Sequence, residues 1–463
     1  MEATDPIAAE KQLPPISIYS LRTVGEQRRI LLIAASISIL TPFTDTVVLP
    51  ALPSMASSLA GADSNSLAAI VSAYMGALGV MNLLWGPLSD LLGRRPPLFA
   101  SLFLYTALSL ACIFAPDMRA LVILRALQGA VTGATISCTQ GSIADAFAPA
   151  GRGTAMGLFF VPLLVGPIVA PVLGGAVTAA LDWRAVFMFC VALAAPMLAA
   201  VAALPETSHW AVAARRAPGA APILEPCARP PWRSPLHTVA YLLEPALAPY
   251  SALMAILFGL LFVSLTTLPL VLARAGLSVS EVGASFLPVG VCMLVGSVAG
   301  GVLSDRAGGA APGVAGARLL PSLWGALVAP LGALIFGWSA TLVGGGAGGS
   351  GGRGALGGVL VGHCLIGLSH ALYNPGFFAF VSTLKQDAAA GVSGAVMAAS
   401  FAAAGVAVSA AVPITEALGE GWLFTILAGV VGGSLLVAAA CFRGVSRDAN
   451  AAAAAVESNA VVR

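Results

Sequence analysis

Residues 86–95 read Gly-Pro-Leu-Ser-Asp-Leu-Leu-Gly-Arg-Arg, and residues 301–308 read Gly-Val-Leu-Ser-Asp-Arg-Ala-Gly. The shared pattern Gly-x-Leu-Ser-Asp-x-x-Gly recurs at a distance of 215 residues. Each copy closes a long apolar run at a matched position in its half of the chain. Self-similarity of this kind indicates an internal duplication into two structural repeats.

The composition around these two copies is that of a membrane protein. Of 463 residues, 58% are hydrophobic and only 9% are charged, whereas soluble domains carry about a quarter charged residues. So much apolar side chain excludes a water-soluble globule, a disordered chain, a collagen-like fibre and a disulfide scaffold. The net charge of +2 gives no argument for a nucleic-acid partner. We therefore predict an all-α polytopic membrane protein.

Apolar runs bounded by Gly, Pro and charged residues predict twelve transmembrane helices in two six-helix bundles. The predicted spans are 30–52, 67–87, 97–115, 119–142, 153–176, 184–204, 247–271, 283–304, 318–342, 355–380, 390–412 and 421–441. The longest interruption separates six spans from six. The predicted organisation is an N-terminal tail 1–29, a first bundle 30–204, a central loop 205–246, a second bundle 247–441 and a C-terminal tail 442–463.

The basic residues predict the orientation, because cytoplasmic loops of membrane proteins are enriched in Lys and Arg. With the N-terminus inside, 17 of the 22 basic residues fall in cytoplasmic segments and four fall outside. Arg125 alone is left within a span. An even number of spans then places both termini in the cytoplasm.

The repeated segment has the composition of a conformational gate. Glycine allows close approach of helices, and arginines beside a carboxylate can pair with it or with helix C-termini. We predict that this cluster holds the bundles in one state and releases them in another. An ordinary polar stop-transfer loop, or a solvated pair for Asp145 and Arg152, is the alternative. The predicted gate residues are Gly86, Asp90, Gly93, Arg94, Arg95, Asp145, Arg152, Asp305 and Arg306.

These motifs resemble those of the major facilitator superfamily, over residues 30–441. Within it the chain is similar to the twelve-span drug:proton antiporters of the Bcr/CflA and fungal quinidine-resistance types. The first span carries Thr44-Asp45-Thr46 and ends in Leu49-Pro50-Ala51-Leu52-Pro53, and span four carries Arg125-Ala126-Leu127-Gln128-Gly129. The fifth span is similar to the antiporter signature, with Ala170 at a position where the family has glycine. The resemblance implies export by proton antiport, with Arg125 lining the central cavity and tuning the protonation of Asp45.

Asp45, Arg125 and Gln128 are candidate residues for proton coupling on chemical grounds as well. An isolated charge at this depth costs several kcal/mol unless it meets water, a partner or a proton, and guanidinium stays charged in any such setting. Gln128 lies nearly one turn beyond Arg125 and shares much of its face. An aspartate hydrogen-bonded to its neighbouring threonines, and an arginine that serves span packing, are the structural alternatives.

Two further groups are candidates. Span five is interpreted as a bending helix at the interface of the two bundles, with generic small-residue packing as the alternative; its residues are Gly157, Pro162, Gly166, Pro167, Pro171, Gly174 and Gly175.

In span ten, His363, His370 and Asn374 form a polar stripe that could contact substrate. Histidines hydrogen-bonded between helices are the alternative there.

These observations predict a secondary active transporter in the plasma membrane. We expect a proton-coupled antiporter that exports small organic or amphipathic compounds, with a specific organic acid, polyamine or secondary metabolite as the alternative cargo. We expect a monomer in the lipid bilayer that binds small molecules and protons, with no cofactor, metal or nucleic acid. A membrane-embedded enzyme is the alternative of another class, but the sequence contains neither an HExxH motif nor a Walker loop.

Overall fold

The computed structural model describes residues 22–147, 149–214, 239–310, 315–344, 350–384 and 389–461. Within these ranges the chain is helical and has no strand, and eleven helices are long and apolar enough to cross a membrane. The twelfth is the 32-residue helix Pro149–Ala180. The predicted all-α polytopic fold is therefore confirmed. Spans 1 to 12 are, in order, Val24–Ser58, Ser64–Leu92, Arg95–Ile113, Met118–Ala146, Pro149–Ala180, Arg184–Ala202, Ala248–Arg274, Val279–Gly308, Gly316–Val343, Ser350–Leu384, Ala389–Leu418 and Glu420–Phe442.

Polar N-caps fix where several spans begin. The Thr23 hydroxyl accepts a hydrogen bond from the Glu26 amide at 3.2 Å, and the Glu26 carboxylate accepts one from the Thr23 amide. This capping box starts span 1 at Val24, before the predicted start at Ile30. Asp63 and Ser278 cap the starts of spans 2 and 8 in the same way. Polar residues next to apolar runs therefore extend the helices beyond their apolar parts.

Span 1 is irregular around Asp45. Its helix is interrupted at Ile39, and the turn after Thr46 continues into the 3-10 helix Leu49–Ala51. Pro42, Pro50 and Pro53 lie along this stretch, and proline supplies no backbone N–H to a helix. Asp45 thus ends a short helical segment, Leu40–Thr46, in the middle of the span.

The spans form two bundles, spans 1–6 and spans 7–12. In the first bundle, span 4 packs against spans 2 and 3, and span 1 packs against spans 4 and 5. In the second, span 10 packs against spans 8 and 9, and span 7 packs against span 11. We call the end that holds Arg94, Asp145 and Glu206 the loop end, and the end that holds Asp63, Ser278 and Glu420 the turn end.

The bundles meet through span 2 with span 11 and span 5 with span 8. Small residues allow this approach: a Cβ on Gly79 would lie 2.7 Å from the Ala398 carbonyl oxygen, and one on Gly283 would lie 2.8 Å from that of Pro171. The backbones of the two bundles are therefore in direct contact from the turn end to the middle of the spans.

The same interface is not closely packed at two glycines nearer the loop end. Gly86 lies seven residues beyond Gly79 on one face of span 2, and Gly394 lies one turn before Ala398 on span 11. A Cβ on Gly86 or on Gly394 would meet nothing within 4 Å. Open space therefore lies beside these two glycines, and we call it the gap at the loop end.

The connections differ in part from the predicted loops and tails. The predicted central loop contains the short helix His209–Ala214, and the last helix continues through the predicted C-terminal tail to Val461. Four arginines of the predicted central loop and Lys385 between spans 10 and 11 lie outside the described residues; these arginines are Arg215, Arg216, Arg229 and Arg233.

Candidate functional site

Asp45 is buried within the first bundle, with only 1% of its surface exposed. Its Oδ1 atom has no hydrogen-bond partner. The neighbouring threonines do not supply one, because Thr44 donates to the Leu40 carbonyl oxygen at 2.6 Å and Thr46 donates to that of Pro42 at 2.8 Å. The alternative of an aspartate held by its own threonines is therefore not what the structure shows.

Arg125 is fully buried on span 4, facing spans 2 and 3. Its Nη1 donates to Gln128 Oε1 at 2.7 Å, and its Nε donates to the Ile70 carbonyl oxygen at 3.3 Å. The guanidinium lies 4.1 Å from the ring centroid of Tyr74, a cation–π contact. Gln128 donates in turn to Ser109 Oγ at 2.7 Å. Arg125 and Gln128 thus act as one hydrogen-bonded unit.

Asp45 and Arg125 are near each other without forming an ion pair. The two charges interact electrostatically, but this pair is not among the contacts within 4 Å that the described residues form. Nη2 of Arg125, like Oδ1 of Asp45, has no hydrogen-bond partner. Two opposite charges that are buried, close and incompletely satisfied are typical of functional sites in membranes.

Span 5 contacts both the segment around Asp45 and the second bundle. A Cβ on Gly174 would overlap the backbone oxygen of Val47, two residues after Asp45. A Cβ on Gly175 would lie 2.8 Å from the Val279 carbonyl oxygen of span 8. Adjacent glycines on one helix thus join the site to the bundle interface, and the same helix contains Pro162, Pro167 and Pro171.

At the loop end, Arg94 binds two carboxylates. Its guanidinium lies 2.5 Å from Asp90 Oδ1 and 2.8 Å from Asp145 Oδ2, and it donates to Ser89 Oγ at 2.8 Å. Burial works against the charge of Arg94, but Asp145 and Asp90 outweigh that effect and raise the pKa of the guanidinium. Asp145, one of the predicted gate residues, thus pairs with Arg94.

Glu206, which the sequence analysis did not single out, completes this cluster. Its Oε1 accepts hydrogen bonds from the amides of Arg94 at 2.9 Å, Thr207 at 2.9 Å and Ser208 at 3.0 Å, and its Oε2 accepts one from the amide of Arg95 at 3.3 Å. The carboxylate thereby caps the start of span 3, where negative charge is favoured. The only signal in the sequence is an acidic residue just after span 6.

Gly93 makes room for this carboxylate. Its φ of +89° favours glycine, and a Cβ there would lie 2.7 Å from Glu206 Oε2. Next to Glu206, the Trp210 indole donates to the backbone carbonyl oxygen of Asp90 at 2.7 Å. His209 Nε2 lies 2.9 Å from the backbone carbonyl oxygen of Asp145. The loop-end cluster thus joins spans 2, 3, 4 and 6 of one bundle.

The second copy of the motif is built more simply. Asp305 pairs with Arg318 at 2.8 Å, not with its neighbour Arg306. In the first copy, Arg95 donates to the Ala202 carbonyl oxygen at 2.5 Å rather than to a carboxylate. The side chain of Arg152 and the surroundings of Gly157 lie outside what the structure describes.

The histidines of span 10 lie inside the second bundle, apart from Asp45 and Arg125. His363 Nδ1 is 3.1 Å from Ser264 Oγ, and its ring packs against Phe286 and Phe336. His370 packs against Phe258, with ring centroids 5.3 Å apart. Asn374 is partly buried on the same helix. These contacts are interhelical packing, and the role of the stripe in substrate contact stays a prediction.

Comparisons with known proteins agree with this architecture. The family model for the Major Facilitator Superfamily matches residues 34–409. The chain is 36% identical over 179 residues to the MFS antiporter QDR3 of Candida albicans, covering 38% of this chain and 26% of that protein. It is 31% identical over 202 residues to Citrate exporter 1 of Aspergillus niger, covering 43% and 38%. The chain thus matches less than half the length of either relative.

A solved structure extends the agreement to the whole fold. A bacterial homolog of the human lysosomal transporter Spinster, in an inward-facing and unoccupied conformation, superposes with a TM-score of 0.62. The alignment covers 92% of this chain and 98% of the other, at 16% sequence identity. At that identity the likeness concerns the fold alone.

Proposed function

This chain belongs to the major facilitator superfamily and is a multi-pass membrane transporter rather than an enzyme, and from that premise we propose that it is a proton-coupled antiporter. It exports small organic or amphipathic compounds by alternating access between its two bundles. The name of the Candida relative, an antiporter, favours exchange over uptake.

The observation that carries this proposal is the buried, incompletely hydrogen-bonded Asp45 close to Arg125. A carboxylate in this setting can exist with or without a proton, and each form interacts differently with the fixed positive charge. Protonation therefore changes the forces on span 1, where prolines already interrupt the helix.

Span 5 transmits that change to the rest of the molecule. Gly174 packs against the backbone just after Asp45, and Gly175 packs against span 8 of the second bundle. A movement of span 1 thus reaches the bundle interface through one helix. The loop-end cluster keeps the first bundle rigid while it rotates.

Asp45→Asn tests the proposal, because asparagine has nearly the same size but cannot exchange a proton. The purified full chain is reconstituted in proteoliposomes, and export of ethidium, a fluorescent amphipathic cation, is driven by an imposed pH gradient. We expect the variant to lose at least tenfold in gradient-driven export while keeping gradient-independent ethidium exchange. Asp182→Asn, at a half-exposed carboxylate of the turn end, is the matched control. Full proton-driven export by Asp45→Asn would contradict the proposal.

Export of one organic acid, polyamine or secondary metabolite is the second candidate function. It is favoured by the match to a relative named as a citrate exporter. Citrate and spermidine replace ethidium in the same vesicles. Proton-coupled movement of one of them, without movement of ethidium, would select this candidate.

We also propose that the loop end faces the cytoplasm, that both termini lie there, and that the transporter is a monomer in the plasma membrane. The distribution of Lys and Arg supports the orientation. The gap at the loop end then opens to the cytoplasm. Epitope tags at each terminus, probed in intact and permeabilised cells, test this orientation, since tags on the outside would be accessible in both.

A further inference from the structure

Span 8 presents a shallow, open apolar side near its loop end that faces away from the other helices, and we call this side the groove. It is formed on this one helix by Leu294, Val295, Val298, Ala299, Val302, Leu303 and Arg306. These residues recur along one side of the helix over about 18 Å, at 1.5 Å per residue. Six of the seven are apolar, and the seventh is a cation at one end.

The helices packed on span 8 leave this side uncovered. Gly290 contacts Ile168 of span 5, and Gly300 contacts Leu372 of span 10, so both neighbours occupy other sides of the helix. In the groove, Val295 is 60% exposed and Val298 is 68% exposed. In a membrane this side faces the acyl chains of the lipids.

Arg306 lies at the loop end of the groove. The apolar segment of span 8 ends at Gly308, so in a membrane that covers this segment the guanidinium reaches the depth of the lipid headgroups, where such side chains are stable. Its neighbour Asp305 is paired with Arg318 at 2.8 Å. Within the described part of the chain, no carboxylate lies within ion-pair distance of Arg306. This exposed positive charge is therefore available to a ligand.

The duplication shows that this charge is not required by the repeat itself. Leu91 stands at the corresponding position of the first copy, 215 residues earlier. Asp90 and Asp305 occupy equivalent positions, and each already has an arginine partner, Arg94 for Asp90 and Arg318 for Asp305. The cation is thus a particular property of the second half.

We propose that this groove binds an anionic phospholipid, with one acyl chain along span 8 and the phosphate group at Arg306. The length of the groove suits an acyl chain, and the single unpaired cation at its headgroup end complements the charge of the lipid. The site is on the outer side of one bundle and does not depend on the cargo that the transporter carries.

Native mass spectrometry of the full chain in detergent tests this site. Phosphatidylglycerol and phosphatidylcholine with identical acyl chains are titrated in parallel. We expect phosphatidylglycerol to bind about fivefold more tightly, the ratio for one basic residue near an anionic headgroup. Arg306→Ala is expected to remove this preference, whereas Arg306→Lys keeps most of it.

Two further variants separate the groove from its charge. Val298→Trp fills the groove but keeps Arg306, and we expect it to weaken binding of both lipids. Arg119→Ala removes an exposed arginine at the turn end and is the matched control, expected to leave the preference unchanged. The site would be refuted if Arg306→Ala kept the preference for phosphatidylglycerol, or if Arg119→Ala reduced it equally.

Discussion

At the scale of single residues, Glu206 determines how the loop end of the first bundle is held together. It is 7% exposed and accepts hydrogen bonds from four backbone amides. Arg22 donates a hydrogen bond to the backbone carbonyl oxygen of Glu206 at 3.2 Å. One side chain thus connects the start of span 3 with the end of span 6.

Glu206→Gln removes the charge and one acceptor oxygen while keeping the size of the side chain. Because hydrogen bonds to a charged group contribute about 1.5–3 kcal/mol, we expect the free energy of unfolding to fall by about that amount. Thermal unfolding in detergent measures it as a lower midpoint. Glu416→Gln, at an exposed glutamate of the turn end, is the control. Equal midpoints for the two variants would show that the Glu206 contacts contribute nothing.

The sequence allowed Asp45 and Arg125 to be predicted as buried candidates but not Glu206. A charge within an apolar run is conspicuous, since every alternative to a buried partner is costly there. A charged residue in a polar connecting segment, by contrast, is not distinguishable by sequence from an ordinary solvated residue. The Glu206 partners at Arg94 and Arg95 are more than 100 residues away, and no local pattern reveals contacts at that separation.

At the scale of elements, span 5 is a helix of the first bundle that contacts both span 1 and the second bundle. Gly174 and Gly175 are consecutive, so they point to different sides of the helix. One side meets span 1 at Val47 and the other meets span 8 at Gly283. The interface between the bundles at the turn end therefore depends on a residue without a side chain.

Gly175→Ala places a methyl group 2.8 Å from the Val279 carbonyl oxygen and 3.0 Å from the Gly283 Cα atom. We expect it to weaken closure of the turn end, because backbone atoms on both sides cannot move aside independently. Transport in proteoliposomes is expected to fall several-fold, with a smaller change in the thermal midpoint. Gly432→Ala is the control, since a Cβ there meets nothing within 4 Å. Unchanged transport by Gly175→Ala would contradict this role.

The positions of the spans could be predicted because an apolar run has to match the thickness of the membrane. The exact ends of the spans, and the neighbour that each helix face packs against, could not be predicted. Span 1 starts at Val24 because of a polar capping box, which a hydropathy pattern does not register. His363 and His370 share a face by their spacing, but the spacing does not tell that this face packs against span 7.

At the scale of the whole molecule, backbones of the two bundles are in contact from the turn end to the middle of the spans, and open space lies beside Gly86 and Gly394 nearer the loop end. The sequence repeat predicts two similar halves. It does not tell which conformation the two halves adopt, because the same repeat is present in every state of a transporter whose bundles rock. The gap at the loop end is visible only in the tertiary structure, as the contact of Gly79 with Ala398 and the open space beside Gly86 and Gly394.

Cysteines placed along span 11 test this opening. We expect Gly394→Cys to react with a membrane-impermeant maleimide at least tenfold faster than Ala404→Cys, because Gly394 borders the gap and Ala404 is fully buried. Peptide mass spectrometry quantifies the labelling at each site in the purified protein. Similar rates at both sites would mean that the gap at the loop end is closed in solution.

The ion pairs have a consequence for how the bundles separate. Each of the five that the described residues form joins two residues of the same bundle. Among the described residues, the conformational change that we propose therefore breaks no ion pair across the interface, and we expect its barrier to arise from packing between small residues and backbone. Dissolved salt screens exposed charges, so ionic strength acts on the stability of each bundle and has little influence on how fast the turn end opens.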